Sequence, residues 1–188
     1  MRKVRIMVMR GAIGTDFLKS EIEDESRDNA VKEKMNLHVK RFEELSVQEL
    51  YHIMKLRVDV FVVEQKCPYM ELDNRDQDSL HVWYEEDGVL QAYLRIMDKG
   101  IESEFVSIGR VIAAKRNCGM GNRILSEGIR TAKAQLGADK IYLEAQVYAK
   151  PFYEKHGFRQ ISDEFLEDGI PHVKMLLDCT SEKTMEAR

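Results

Sequence analysis

Arg116-Asn117-Cys118-Gly119-Met120-Gly121 is the stretch whose reading decides the fold. It follows a strand-like run from Glu104 to Ala114. It precedes apolar residues at Ile124, Leu125, Ile129, Ala132 and Leu136, spaced for one face of a helix that Gly137 ends. A loop that opens a helix presents free backbone amides at the positive end of the helix dipole. Gly119 and Gly121 carry no Cβ, so a bulky anion can approach the backbone there. The natural guest is a phosphate or pyrophosphate. A P-loop needs Gly, four residues, Gly, Lys and Ser or Thr, and that pattern is absent. A dinucleotide fingerprint needs a third glycine three places after the second, where Ile124 stands.

Outward from this loop the chain alternates helix and strand signals. Ser46 and Glu49 form a capping box, and Leu50, Ile53, Met54 and Val58 follow at helical spacing, which predicts a helix from about Val47 toward Phe61. LHVWY and VLQAYLRIM flank Asp87-Gly88, a hairpin signal, and EFVSIGRVIAA continues as a third strand. KIYLEAQ reads as a short apolar strand and YAKPFYEKHGF as a short helix. FRQIS and PHVKMLLD read as a last hairpin about Asp168-Gly169. The predicted order is helix, three antiparallel strands, helix, strand, helix, two strands. This is an α+β layout around one mixed, mostly antiparallel sheet flanked by helices. Residues 1–34 differ in character, with a possible short strand in VRIMVM and a densely charged stretch after Lys19. They read as an N-terminal extension, flexible or preceding the natural start, to a domain over 35–178, with a polar tail over 179–188.

The chain has 188 residues and a formal charge of −4, without a block of Lys and Arg. That balance argues against nucleic acid as a partner. No apolar run approaches the roughly 18 residues of a membrane span, and no full signal-peptide core follows the basic start, so the expected location is cytoplasmic. Cys67, Cys118 and Cys179 are three and far apart, which fits reduced thiols, and the five histidines lack metal-ligand spacing. No metal is expected. From the residues alone the glycine loop remains either a coenzyme A pyrophosphate site or a helix start that merely uses glycine.

Arg-x-x-Gly-x-Gly between a strand and an amphipathic helix resembles the acetyl-CoA motif of the GNAT acetyltransferase superfamily. Ala149-Lys150-Pro151-Phe152-Tyr153-Glu154-Lys155-His156-Gly157-Phe158 is similar to its second motif, Ala-x-x-aromatic-Tyr-x-x-x-Gly-Phe. Arg57 to Gln65, Cys67-Pro68-Tyr69, Glu71-x-Asp73, Ile108 to Val111, Ala145-Gln146 and Glu167 to His172 resemble the ElaA-type branch. The interval from Arg110 to Arg116 is about two residues shorter than in that branch, which bears on the register between strand and phosphate loop.

The resemblance implies a GNAT-like fold, splayed between EFVSIGRVIAA and KIYLEAQ to admit acetyl-CoA. It implies an N-acetyltransferase acting by direct transfer to a primary amine of a small molecule or peptide, as a monomer or homodimer. Val111, Ile112 and Ala113 would pair with the pantetheine arm. The loop of Arg116, Asn117, Cys118, Gly119, Met120, Gly121, Asn122 and Arg123 would take the pyrophosphate, with Gln146 and Phe152 alongside. Tyr153 would protonate the leaving thiolate. Glu64 is the first candidate for the base, ahead of Glu71, Asp73, Glu144, His81 and His172. Arg57, Glu71, Asp73, His81 and Arg110 fall on the acceptor side, where Arg57 and Arg110 either bind an acceptor carboxylate or form a buried structural pair with Glu64 or Glu71. Two other readings stand beside this one: a non-catalytic acyl-CoA-binding module, and an acyltransferase resembling the acyl-homoserine-lactone synthases.

Overall fold

A computed structural model describes residues 35–116 and 118–180. The readings made for residues 1–34, for Asn117 and for residues beyond 180 lie outside the described residues. The described residues carry eight strands in one sheet: β1 (Asn36–Arg41), β2 (Ser79–Glu86), β3 (Val89–Met97), β4 (Val106–Ala113), β5 (Lys140–Gln146), β6 (Arg159–Gln160), β7 (Phe165–Glu167) and β8 (Ile170–Asp178). The order across the sheet is β1-β2-β3-β4-β5-β8-β6, with β7 also paired to β8. Every pairing is antiparallel except β4 with β5. Helices α1 (Val47–Arg57), α2 (Met120–Leu136) and α3 (Lys150–Glu154) complete the α+β layout.

The alternation of β2 and β3 sorts the core into two layers. Leu80, Val82, Tyr84, Ala92, Leu94 and Ile96 share one cluster with Ile124 and Leu125 of α2. Trp83, Tyr93 and Ile112 gather instead with Ile53 of α1. Gly128 lets α2 lie close on the sheet, since a Cβ there would stand 2.5 Å from Leu94. Asp87-Gly88 makes the hairpin turn that the sequence signals, both residues having positive φ (50° and 77°), as a type I′ turn requires.

Four elements depart from the sequence reading. β1 was not expected. Its alternation is shallow, with Leu37 and Val39 packed toward the α2 layer and His38 stacked on Trp83 at 4.7 Å on the other face. The capping box forms as read, with Ser46 Oγ accepting from the Glu49 amide and Glu49 from the Ser46 amide. However, the α-helix ends at Arg57 and continues as a π-helix over Val58–Glu64. Val58, Val60, Val62 and Val63 crowd this segment, and β-branched side chains disfavour tight α turns. The last hairpin is β7–β8, not FRQIS with β8. Arg159 and Gln160 pair farther along β8, at Leu176 and Met175. Cys179, placed in the polar tail by the sequence reading, is buried, and its amide donates to the Asp139 carbonyl at 2.9 Å.

Candidate active site

The parallel pair β4–β5 is joined only at Val106↔Ile141 and Ser107↔Tyr142. Beyond that point β4 stays paired to β3 through Ala113, and β5 stays paired to β8 through Gln146, but they no longer pair with each other. The register of β3 against β4 slips by one residue between Tyr93 and Arg95. Arg110 falls in this slip and has φ 54°, a left-handed conformation rare for a residue with a side chain. The extra residue bends β4 away from β5, as bulges do. The result is a cleft of about 850 Å³ with a bare strand edge on each wall.

Val111, Ile112, Ala113 and Arg116 line the β4 wall, and Gln146 lies on the β5 wall, where its amide donates to Gln65 at 3.1 Å. Phe152 and Tyr153 of α3 close the inner end, their rings edge to face at 5.1 Å. Glu64, on the π segment, also lines the cleft and pairs with Arg116. Among the described residues no hydrogen-bond partner reaches the Tyr153 hydroxyl. Burial, with the neighbouring Tyr148 second, pushes its pKa above the ordinary phenol range, so Tyr153 keeps its proton at neutral pH.

The described cleft wall does not extend past Arg116 into Cys118 to Arg123. Gly119, with φ 81°, caps α2. The first intrahelical bond there runs from the Arg123 amide to the Gly119 carbonyl, which leaves the amides of Met120, Gly121 and Asn122 without an intrahelical acceptor. This helix start stands beside the cleft, because a Cβ on Gly121 would lie 3.6 Å from the Phe152 ring. The side chains are occupied otherwise. Met120 is core, and Cys118 Sγ donates to the Lys115 carbonyl at 3.0 Å. Asn122 Oδ1 lies 3.1 Å from His156 Nε2. Arg123 is turned toward the β2 side, its guanidinium 4.4 Å above Tyr84.

The acceptor-side residues form a network. Arg57 Nε donates to Glu71 at 2.6 Å and Arg57 Nη1 to Asp76 at 2.6 Å. Arg95 donates to Asp73 at 2.6 and 2.7 Å and to Asp76 at 2.9 Å. Arg110 reaches Glu71 at 2.9 Å and Asp73 at 3.3 Å, and Tyr69 donates to Glu71. The loop after the π segment is thereby fixed to α1, β3 and β4. Burial alone would raise the Asp73 pKa, but Arg95 and then Arg110 outweigh it and hold the carboxyl well below its usual range. Burial lowers the His81 pKa. Its Nε2 meets the Asp76 carbonyl at 3.1 Å and its Nδ1 the Tyr93 hydroxyl at 2.8 Å, so it is a neutral ring donating from Nε2 and accepting at Nδ1.

These contacts favour the structural alternative for Arg57 with Glu71 over acceptor binding, and correct the acceptor-side placing of His81. Arg57, Glu71 and His81 are 0%, 4% and 0% exposed and hold the scaffold instead of meeting an acceptor. Asp73 and Arg110 do line the cleft. The sequence reading missed Asp76 and Arg95. Arg95 had a signal: a lone guanidinium inside the apolar run VLQAYLRIM calls for a buried carboxylate partner. It also missed the Tyr142 phenol, which donates to Glu144 at 2.5 Å on the β5 wall. Among the described residues no cluster of His, Cys, Asp and Glu is placed to hold a metal ion, and no helix is long and apolar enough to cross a membrane.

A family model described as an acetyltransferase (GNAT) domain matches residues 24–179. Protein ElaA of Escherichia coli is 38% identical over 136 residues, covering 70% of this chain and 89% of its own. Its crystal structure superposes with a TM-score of 0.72, covering 77% of this chain and all (100%) of that one. An acyl-CoA N-acyltransferase from Pseudomonas aeruginosa is 37% identical, with a TM-score of 0.72 over 77% of this chain and 99% of its own. A CoA-dependent acyl-homoserine lactone synthase, BjaI, has a TM-score of 0.67 over 81% of this chain and 87% of its own. At 14% identity it shares the fold alone.

Proposed function

Since the chain belongs to the GNAT acetyltransferase family, in its ElaA-type branch, we propose that it is an N-acetyltransferase. It passes an acetyl group from acetyl-CoA to a primary amine of a small molecule or peptide, by direct transfer in a ternary complex. The observation that carries this reading is the opening between β4 and β5, with a protonated, unpartnered Tyr153 hydroxyl at its inner end.

The cleft fits an extended, amide-bearing ligand. The edges of Val111 to Ala113 and of β5 offer backbone donors and acceptors, as in strand addition. The amides of Met120, Gly121 and Asn122, at the positive end of α2, suit the diphosphate. Cys118 extends the loop by its backbone. When bound, acetyl-CoA supplies an activated acyl thioester. Tyr153 holds its proton at Oη, available to a departing thiolate. Glu64 takes a proton from the incoming amine, directly or through water, and Arg116 beside it keeps that carboxylate on the cleft wall. Gln146 and Phe152 shape the floor. Asp73 and Arg110 bound the acceptor end and, being tied to the buried network, are rigid.

We place the enzyme in the cytoplasm as a monomer or homodimer. Three cysteines, odd in number and far apart in sequence, accord with a reducing compartment. Release of CoA thiol from acetyl-CoA, dependent on an added amine and accompanied by an N-acetyl product, tests the proposal. Binding without turnover under any amine would favour a non-catalytic module, and a lactone product would favour the synthase reading.

A further inference from the structure

Every guanidinium lining the cleft is already engaged. Arg116 pairs with Glu64, and Arg75 with Glu102. Arg95 holds Asp73 at 2.6 Å, and Arg110 reaches Glu71 at 2.9 Å and Asp73 at 3.3 Å. An acceptor bearing a carboxylate or phosphate would have to break one of these pairs. The opposite wall differs. Glu144 of β5 and Glu167 of β7 line the same cleft and are held only by long ion pairs: Lys174 is 3.9 Å from Glu144, and His172, charged only when protonated, is 3.9 Å from Glu167. Lys174 is half-exposed and lies over the Phe165 ring at 5.7 Å. The Tyr142 hydroxyl fixes Glu144 at 2.5 Å. After burial, the hydrogen bond to Glu144 and then the charges of Glu144 and Glu167 raise the pKa of that same phenol, so both carboxylates act on one point of the wall.

Resting on the acetyl-transfer reading, we propose that the acceptor is a small aliphatic amine bearing a second ammonium group, a diamine or polyamine, with Glu144 and Glu167 holding the distal charge. The proximal nitrogen reacts as the neutral amine. Its N–C bond to the acetyl carbon forms as the C–S bond breaks, one amine proton leaves to Glu64 or water, and the sulfur takes a proton from Tyr153. The distal ammonium keeps its proton throughout. A part-exposed ion pair contributes roughly a factor of two to three, so two such carboxylates give roughly four- to ninefold selectivity.

The test uses the full chain, acetyl-CoA and three acceptors of one length: 1,5-diaminopentane, pentylamine and 5-aminopentanoate. Thiol release gives kcat/KM for each. The expected order is diamine, then monoamine, then amino acid. In the Glu144→Gln, Glu167→Gln double variant the diamine-to-monoamine ratio falls by roughly four- to ninefold, a comparison that cancels the intrinsic reactivity of the amines. Glu167→Gln alone, at a half-exposed position, carries part of the fall and guards against a folding defect at Glu144. A ratio unchanged by both variants, or 5-aminopentanoate as the best acceptor, overturns the proposal. So does absence of turnover with all three by protein that binds acetyl-CoA. Failure to bind acetyl-CoA at all overturns instead the acetyl-transfer reading beneath it.

Discussion

Replacing Tyr153 by phenylalanine removes one oxygen atom and nothing else. The Tyr153 ring packs edge to face against Phe152 at 5.1 Å and Phe158 at 6.0 Å, and phenylalanine keeps both contacts. The hydroxyl has no hydrogen-bond partner among the described residues, so its removal leaves no buried donor or acceptor orphaned. The cost that usually follows such a deletion, about 1–3 kcal/mol, is absent. The thermal midpoint should therefore stay within about 2 °C of wild type, and acetyl-CoA affinity should be unchanged. Turnover should not survive in the same way. A positioned general acid contributes about 10²- to 10⁴-fold. Water can enter a cleft this open and replace part of that, so the expected loss in kcat is roughly a hundredfold, about 3 kcal/mol of transition-state stabilisation. The raised pKa means that the wild-type phenol is protonated across the neutral range, so the loss should not vary between about pH 6 and 9. Thiol release under saturating amine measures kcat, and calorimetry measures affinity on the same preparation. Unchanged kcat would remove Tyr153 from the mechanism. A large fall in melting temperature would show that the hydroxyl is structural.

Gly121→Val should weaken acetyl-CoA binding by roughly tenfold or more, about 1.4 kcal/mol, because its methyls extend past a Cβ already 3.6 Å from Phe152. Gly121→Ala makes only ordinary contact there and should bind nearly as wild type, and equal affinities for the two variants in a titration would count against the loop assignment. Arg57→Ala should cost about 3 kcal/mol of folding stability in urea unfolding. It strips a partner from buried Glu71 and Asp76, although Arg95 and Arg110 still reach them, and a change under about 1 kcal/mol would contradict the buried network. Stability should fall on acidification. His81, Asp73 and Asp76 all have folded pKa values lowered from 6.5, 3.8 and 3.8, so between those values and the lower folded ones the unfolded chain binds more protons. Their stabilisation is complete above about pH 7 and is lost first through His81 and then, below about pH 4, through the two aspartates. A melting temperature that rises from pH 7 to 4 would refute this.

The helix after the glycine loop, the β2–β3 hairpin and the capping box were legible because each is fixed by local chemistry: period 3.6, a φ-positive Asp-Gly turn and a reciprocal Ser–Glu cap. β1 was not, because Asn-Leu-His-Val-Lys-Arg offers only two apolar residues, and its pairing to β2 is decided some forty residues away. The π segment was also hidden, since the apolar spacing of Val58 to Val63 does not separate i→i+5 from i→i+4 bonding. For the site, motif position found the cleft-lining residues Tyr153, Glu64 and Val111 to Ala113. It could not tell a cleft-lining arginine, Arg110, from a wholly buried one, Arg57. Both are guanidiniums in polar company, and only the bulge in β4 separates their surroundings. For Arg123, helix position gave the end of α2 but not the direction of the side chain, which lies over the Tyr84 ring.

The central claim is that the β4–β5 opening receives acetyl-CoA. Calorimetric titration of the purified full chain with acetyl-CoA and with CoA tests it directly. The account predicts micromolar binding of both, about −8 kcal/mol, because the strand edges and the α2 amides meet parts that the two ligands share. No binding of either by a protein shown to be folded would contradict it.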